Sequence, residues 1–530
     1  MKRILILSML LPLSLMAAKT ERTATVNVQT TKGETVISRN IYGQFAEHLG
    51  TCIYGGLWVG EDSPIPNTNG YRNDVLGALK DLHIPVLRWP GGCFADDYHW
   101  MDGIGPRDKR PAKVNSTWGG TLEDNSFGTH EFLNLCELLE CEPYVSMNIG
   151  SGTVRETSEW VEYMTASDGP MAELRHKNGR NEPWKVKFIG VGNESWGCGG
   201  NMTPEYYSNE YRRYATYCKD FSGNRLYKIA SGASDYDYTW TETLMKNIGN
   251  RMHALSLHYY TVLGWNGSKG KATKFSDEDY YWCLGKCLGI EPVLKKHIDI
   301  MDRYDARKRI DLLVDEWGTW WDEEEGTIPG HLFQQNTMRD AFVAALSLNV
   351  FHKYAERVKM CNIAQIANVL QSMILTNNEK MVLTPTYYVF KMYVPHQDAI
   401  SLPLDITCDN MQVPNERFNG GRNEEEPTRT LPLLSATASR DDKGLIHVSL
   451  ANVDLAQEQT VTVNLEGAKV KSVSGTILTS KNIADHNTFE KPNTVQTEPF
   501  KGFKTNKKDA SMITVTMPAK SIVTLEVTTK

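Results

Sequence analysis

The sequence predicts an α/β protein: a (β/α)8 TIM barrel with an all-β C-terminal sandwich, to which a strand segment from the N-terminus is joined. Three observations predict it. Short apolar runs alternate with helical patterns through the middle of the chain, which implies a parallel sheet. The tail alternates apolar and polar residues with period two, the mark of antiparallel strands. All 13 Trp lie between Trp58 and Trp321, so the last 200 residues carry none and a composition boundary falls between the two parts. A chain of 530 residues is long for one ordinary domain and fits a barrel of about 250 residues or more with an appendage.

The elements follow in order. Met1-Lys2-Arg3 gives a basic start, Ile4 to Met16 is almost wholly apolar, and Ala17-Ala18 follow. That is the layout of a secretory signal peptide over residues 1–18; the run is short of the roughly 20 residues of a membrane span, the alternative reading. The expected protein is therefore exported, periplasmic or extracellular, with no membrane span. In residues 19–40, Val26 and Val28 alternate before a Lys32-Gly33 turn, and this segment is expected to pair with the distant tail. Residues 41–394 hold eight apolar runs: Ile41 to Phe45, Val86 to Trp89, Pro143 to Ile149, Val186 to Gly192, Lys228 to Ser231, Ala254 to Tyr259, Ile310 to Glu316 and Cys361 to Ala367. Helical patterns such as Phe132 to Leu139, Tyr206 to Phe221, Pro292 to Tyr304 and Asn336 to Leu348 lie between them. Eight such units close naturally into a barrel; a doubly wound open sheet is the alternative. Residues 395–530 form the sandwich, with Leu445 to Leu450, Thr460 to Leu465, Ile513 to Met517 and Ile522 to Val527 as its clearest strands.

Composition narrows function. Hydrophobic residues are 41% and charged residues 23%, and the net charge is −7 from 57 basic and 64 acidic residues. Nucleic acid and anionic lipid call for a basic face, so neither is an expected partner. Ten Cys are too few for a disulfide scaffold, and neither Cys136/Cys141 nor Cys283/Cys287 has zinc-like company. No metal or cofactor is expected. Export would permit an occasional disulfide, but buried thiols are the commoner outcome.

Barrel active sites are built at strand C-termini. Here several strand ends carry polar or aromatic groups: Glu47-His48, Arg88 through Cys93, Asn148, Asn193-Glu194, His258-Tyr259-Tyr260, Asp315-Glu316-Trp317 and Gln365. Glu194 and Glu316 each end an apolar run within two residues of a Trp. They are 122 residues apart, close to three units of roughly 44 residues, which places them on the fourth and seventh strands across the mouth. Paired carboxylates in an aromatic cleft are the apparatus of glycoside hydrolysis: one protonates the leaving group and the other attacks the anomeric carbon. Their carboxyl groups should then be about 5–5.5 Å apart. Competing motifs fail. His130-Glu131 lacks the second His of a zinc protease, no Gly-x-Ser-x-Gly elbow occurs, Gly190-Val191-Gly192 lacks the third Gly of a dinucleotide fingerprint, and Asp322 to Glu325 lacks EF-hand spacing.

Gly192-Asn193-Glu194 and Asp315-Glu316-Trp317 resemble the acid/base and nucleophile motifs of the large retaining glycosidase clan built on (β/α)8 barrels. More narrowly, residues 42–50 (YGQFAEHLG), 88–94 (RWPGGCF), 102–106 (DGIGP) and 362–365 (NIAQ) resemble glycoside hydrolase family 51, whose members are mostly α-L-arabinofuranosidases. The resemblance implies Glu194 as general acid/base and Glu316 as nucleophile. It implies that Asn193 bonds the sugar 2-hydroxyl, that Glu47 accepts from hydroxyls deeper in the pocket, and that Cys93, Trp118 and Trp320 wall the furanose site. Tyr260 would orient the nucleophile, with His258 and Gln365 completing the polar shell. It also implies an oligomer, a hexamer in the family, although no residue pattern marks an interface. The chain departs from the family after Glu194, where Ser195-Trp196-Gly197-Cys198-Gly199-Gly200 replaces the common Met-Asp-Gly-Pro-Trp on the leaving-group side.

The activity implied is that of an exo-acting, retaining α-L-arabinofuranosidase. It would take terminal arabinofuranose from arabinan or arabinoxylan, as polysaccharide or oligosaccharide. The alternatives are an endo-acting β-glycanase of the same family and a silent carbohydrate-binding protein of a polysaccharide-uptake system.

Overall fold

A computed structural model describes residues 22–265, 267–414 and 428–530. The leader segment, residues 1–18, lies outside them. Eight parallel strands close into a barrel in chain order. We number them β1 (Gly43–Phe45), β2 (Val86–Trp89), β3 (Glu142–Met147), β4 (Phe188–Val191), β5 (Tyr227–Ser234), β6 (Ala254–Thr261), β7 (Asp311–Thr319) and β8 (Val358–Ala364). β8 pairs with β1 through Ile363 and Gln44, which shuts the ring. Closure satisfies the backbone groups that an open sheet would leave at its edges.

The strands read as apolar runs because parallel barrels bury both faces. Inside, Val86, Tyr144, Phe188, Ile229, Ala254, Leu313 and Met360 form one buried cluster that fills the lumen. Outside, helices cover the strands; Met338–Lys353, which follows β7, is buried along nearly its whole length. That helix is enclosed because the sandwich docks on it: Asn349 Nδ2 donates to Ser435 at 2.9 Å and His352 Nδ1 lies 3.1 Å from the Thr437 hydroxyl.

The C-terminal part consists of a five-stranded and a six-stranded sheet. Arg22–Gln29 enters the first, running parallel to Gln459–Glu466 with Val26 opposite Val463, and antiparallel to Leu404–Thr407. Val26, Val28, Val448, Leu450, Val463, Ile513 and Leu525 close the core between the sheets. Period-two alternation supplies this layer, since successive side chains point to opposite faces of a strand.

Two local differences from the sequence expectation have physical causes. The run from Ile41 yields a strand only at Gly43, because Arg39–Tyr42 is a 3-10 turn whose N-cap Ser38 accepts from the Asn40 amide. β7 contains an extra residue: Ser256 and His258 of β6 oppose Leu313 and Glu316, and Val314 and Trp317 oppose Cys361 and Ile363 of β8. Such a bulge re-aims side chains, and its effect is felt at the mouth of the barrel.

Candidate active site

The site begins with β2, where the buried Arg88 sits in an otherwise apolar strand. Its guanidinium lies over the Phe45 ring at 4.5 Å and the Tyr144 ring at 5.6 Å. Nη1 donates to Oε1 of Glu316 at 2.8 Å and Nη2 donates to Oδ1 of Asn193 at 2.6 Å. One cation therefore fixes groups from β7 and from the loop after β4.

Strict alternation along β7 would send Asp315 and Glu316 to opposite faces. The bulge brings both to the mouth. Asp315 accepts from the Tyr144 hydroxyl at 2.7 Å, and its Oδ1 lies 3.3 Å from Nε2 of His258. Burial raises the Asp315 carboxyl, but the charges of Arg88 and His258 and the bonds to it win and leave it below the usual value. Glu316 accepts from Tyr260 at 2.8 Å in addition to Arg88. Arg88 thus holds Oε1 and Tyr260 holds Oε2, so both oxygens of Glu316 are fixed in place.

Glu194 stands three residues beyond β4 with φ 39°, a left-handed conformation uncommon for a residue with a side chain. Gly192 enables this turn: its φ is 91°, and a Cβ there would lie 2.5 Å from Ile149 Cδ1. The Glu194 side chain is 18% exposed, open towards the mouth, and Oε1 lies 2.8 Å from Nδ1 of His258. The same Nδ1 is 3.4 Å from Oε2 of Glu316. The nearest carboxylate oxygens of the two Glu and the imidazole nitrogen lie within 4.8 Å of one another. Burial, then the charge of Glu316, pushes the Glu194 carboxyl up, against the opposing bond from His258. Burial by itself lowers His258, but Glu316, Asp315 and Glu194 outweigh it and hold the imidazolium to about 10.

Glu47 lies deeper. It accepts from the Phe94 amide at 3.0 Å, the Trp118 indole at 2.8 Å and Gln365 Nε2 at 3.0 Å. Burial and then the Glu316 charge raise its carboxyl to about 7. Gly91-Gly92 leave room above these groups: a Cβ on Gly92 would sit 3.0 Å from both Glu47 oxygens and 3.3 Å from Glu316. Trp118 is carried by the hairpin Lys113–Asn115/Thr121–Glu123, and Trp320 meets Tyr260 edge-on with ring centres 5.1 Å apart. Trp265, 39% exposed, extends that aromatic wall against Trp320 at 5.5 Å.

The structure thus brings all ten residues picked from the sequence to one mouth: Glu47, Cys93, Trp118, Asn193, Glu194, His258, Tyr260, Glu316, Trp320 and Gln365. Cys93 has a partner the sequence reading did not name. That reading put it in the furanose wall by resemblance and took buried thiols as the commoner state, whereas it is joined to Cys198 in a disulfide across 105 residues. The bridge forms because the loops after β2 and β4 come side by side at the barrel end, a proximity no local spacing encodes. Sequence reasoning noted Asp315 at a strand end but gave it no role, and it missed Tyr144 and Trp265. A buried Arg in Val86-Leu87-Arg88-Trp89 was the available signal for the charge network.

A closed eight-stranded barrel with facing carboxylates and an aromatic wall defines a glycoside hydrolase of the (β/α)8 class. The family models for the α-L-arabinofuranosidase 1 domain and the α-L-arabinofuranosidase C-terminal domain match residues 78–272 and 315–521. A Bacteroides ovatus protein named intracellular exo-α-L-arabinofuranosidase is 64% identical over 507 residues, covering 96% of each chain. The crystal structure of the family 51 arabinofuranosidase from Xanthomonas axonopodis pv. citri is 45% identical, covers 96% of this chain and 100% of that one, and superposes with a TM-score of 0.91. The Thermotoga maritima α-L-arabinofuranosidase, solved as an arabinose complex, is 30% identical with a TM-score of 0.82, over 96% of this chain and 100% of that one. The chain belongs to the α-L-arabinofuranosidases of glycoside hydrolase family 51. It is an enzyme, which removes the reading as a silent binding protein.

The same comparison corrects the expected location. A relative this similar is named intracellular, so the reading of residues 1–18 as an export signal, with a secreted or periplasmic product, is withdrawn. Among the described residues no helix is long and apolar enough to cross a membrane.

Proposed function

We propose that this arabinofuranosidase is exo-acting and retaining, releasing terminal non-reducing α-L-arabinofuranosyl residues from arabinan- or arabinoxylan-derived oligosaccharides by double displacement. The observation that carries the reading is the unequal setting of two carboxyls sharing one imidazolium. Glu316 is held by Arg88 and Tyr260, whereas Glu194 is raised and opens to the mouth. Their nearest oxygens lie within 4.8 Å, which supports the short carboxyl spacing of retaining enzymes over the wider spacing that inversion uses.

In the first step a Glu316 oxygen bonds to the anomeric carbon while Glu194 gives its proton to the departing oxygen. The glycosidic bond breaks and a glycosyl ester forms. The charge of Glu316 is then gone, so Glu194, now ionised, loses the neighbour that opposed its charge and can take a proton from water. That water attacks the anomeric carbon, Glu316 leaves, and arabinose departs with its configuration retained. Asn193 supports the assignment to the 2-hydroxyl: its Oδ1 is fixed by Arg88, while the buried Nδ2 has no partner in the protein. Glu47 and Gln365 form the pocket floor, and Trp118 and Trp320 form its walls. A walled pocket favours exo action, and the name of the Bacteroides ovatus relative agrees.

The test is chemical rescue with product analysis. Glu316→Ala should lose turnover on every substrate and give an azide adduct of inverted configuration. Glu194→Ala should keep a faster first step with activated leaving groups and give an azide adduct of retained configuration. Exchanged azide products would reverse the roles. A ladder of oligosaccharides from polymer, in place of arabinose alone, would refute exo action.

A further inference from the structure

The Cys93–Cys198 disulfide lies against the proton donor. Cys93 follows β2, Cys198 follows β4, and their Cα atoms are 5.5 Å apart. The two sulfurs lie 3.9 and 3.6 Å from Oε2 of Glu194. The other oxygen, Oε1, is occupied by Nδ1 of His258. Oε2 is therefore the oxygen left to meet a leaving group, and as a disulfide its two sulfur neighbours carry no S–H to donate. The loop itself curls tightly after the turn, with the Gly197 and Gly199 amides both donating to the Glu194 carbonyl at 2.7 and 3.1 Å. The disulfide then ties this curl to the Gly91-Gly92 loop. Cys198 is exposed, so the bond is open to a reductant.

We propose that the Cys93–Cys198 disulfide is a positioning element for the proton donor, holding Oε2 of Glu194 at the leaving-group side without a hydrogen-bond donor of its own. The proposal rests on Glu194 being that donor. Reduction by a small dithiol breaks the S–S bond, delivers two electrons and two protons to the two sulfurs, and closes the dithiol to its cyclic disulfide. Two S–H groups then stand within reach of Oε2, and the loop after β4 loses its tether to the loop after β2. Hydrogen bonds to a carboxylate favour its charged form, so Glu194 gives up its proton at lower pH. The other groups facing Glu194 are His258 and Arg88, which favour its charge, Glu316, which opposes it, and the Tyr260 hydroxyl. None is altered by reduction.

The experiment compares pH profiles of the oxidised enzyme, the dithiol-reduced enzyme and Cys198→Ala. The substrates are a 4-nitrophenyl arabinofuranoside, whose leaving group needs little protonation, and an alkyl arabinofuranoside, which needs it. Thiols are counted by alkylation and mass measurement. The expected result is a selective loss of kcat on the alkyl glycoside, on the order of 10- to 100-fold for a displaced donor. The alkaline limb should move to lower pH by about half a unit or more in the reduced enzyme. The double variant Cys93→Ala/Cys198→Ala, which has no S–H, should keep the selective loss without that shift. Equal losses on both substrates, or an unchanged profile in Cys198→Ala, would overturn the proposal. So would a bond that the dithiol leaves intact if Cys198→Ala behaves as wild type. Glu194→Gln on the same two substrates separates the readings. If it costs the alkyl glycoside far more than the nitrophenyl glycoside while reduction does nothing, only the positioning proposal fails; if it costs neither substrate, the donor assignment itself is lost.

Discussion

His258→Asn isolates the cation at the centre of the site. Asparagine sets a neutral amide near the position of Nδ1, so a donor towards Oε1 of Glu194 remains while the positive charge goes. That charge is present across the working pH range, since Glu316, Asp315 and Glu194 outweigh burial and hold His258 to about 10. Nδ1 is 2.8 Å from Glu194. A unit charge pair about 4 Å apart between charge centres is worth about 4 kcal/mol at an effective dielectric constant near 20. At 1.36 kcal/mol per pKa unit that is an upper bound of about 3 units. Entry of water and adjustment of the Arg88 network should leave roughly 1–2 units. The sign is fixed: losing a nearby cation disfavours the carboxylate, so Glu194 holds its proton to higher pH. The alkaline limb of kcat/KM should therefore move up, while kcat falls because the proton is harder to release to the leaving group and Glu316 loses a supporting charge. The assay is a kcat/KM profile on an alkyl arabinofuranoside for wild type and variant. An alkaline limb that stays put, or moves down, would refute the charge assignment.

Further outcomes follow from the same geometry. Asn193→Ala removes the unpartnered Nδ2 and frees an Arg88 nitrogen; a loss of about 2 kcal/mol in transition-state binding, roughly 30-fold, should appear in kcat more than in KM. Glu47, raised to about 7 by burial and by Glu316, is mimicked in its protonated form by Glu47→Gln. KM values of variant and wild type should converge in mildly acid buffer and separate in alkaline buffer; a constant ratio across pH would contradict this. At the seam between barrel and sandwich, burial lowers His352 to about 3 and His396 well below its usual value. Both are neutral when folded and protonate readily when unfolded, so their stabilisation is full above about 6.5 and is lost as pH falls towards the folded values. Denaturant unfolding should show stability dropping by roughly 2–4 kcal/mol between pH 7 and 5 from this pair. His352→Gln should remove about half of that slope, and an unchanged slope would place the acid sensitivity elsewhere.

Much of the architecture was legible because it is written in local periodicity. Val86-Leu87-Arg88-Trp89 becomes β2 residue for residue, and the alternation in Gln459–Glu466 and Ser521–Thr529 becomes the sandwich core. The paired Glu were legible too, because each ends an apolar run beside a Trp. Their roles were implied by family resemblance and stand as proposals.

The rest depended on contacts between distant segments. Whether Asp315 turns inward is set by one extra residue in β7, which only the register against β6 and β8 reveals. That Cys93 and Cys198 are bonded depends on the loops after β2 and β4 meeting at the barrel end. That a histidine becomes a lasting cation depends on three carboxyl groups from β7 and the loop after β4 converging on it. The apolar leader suggested export, but similarity over the whole chain to a protein named intracellular overturned that reading. The sequence by itself determined the layers, the strand order and the two carboxylates, since hydrophobic period and chain spacing decide those. Only the tertiary structure decided the charge network and the disulfide, because Coulomb and covalent pairing depend on distances across the barrel mouth that no neighbouring residues encode.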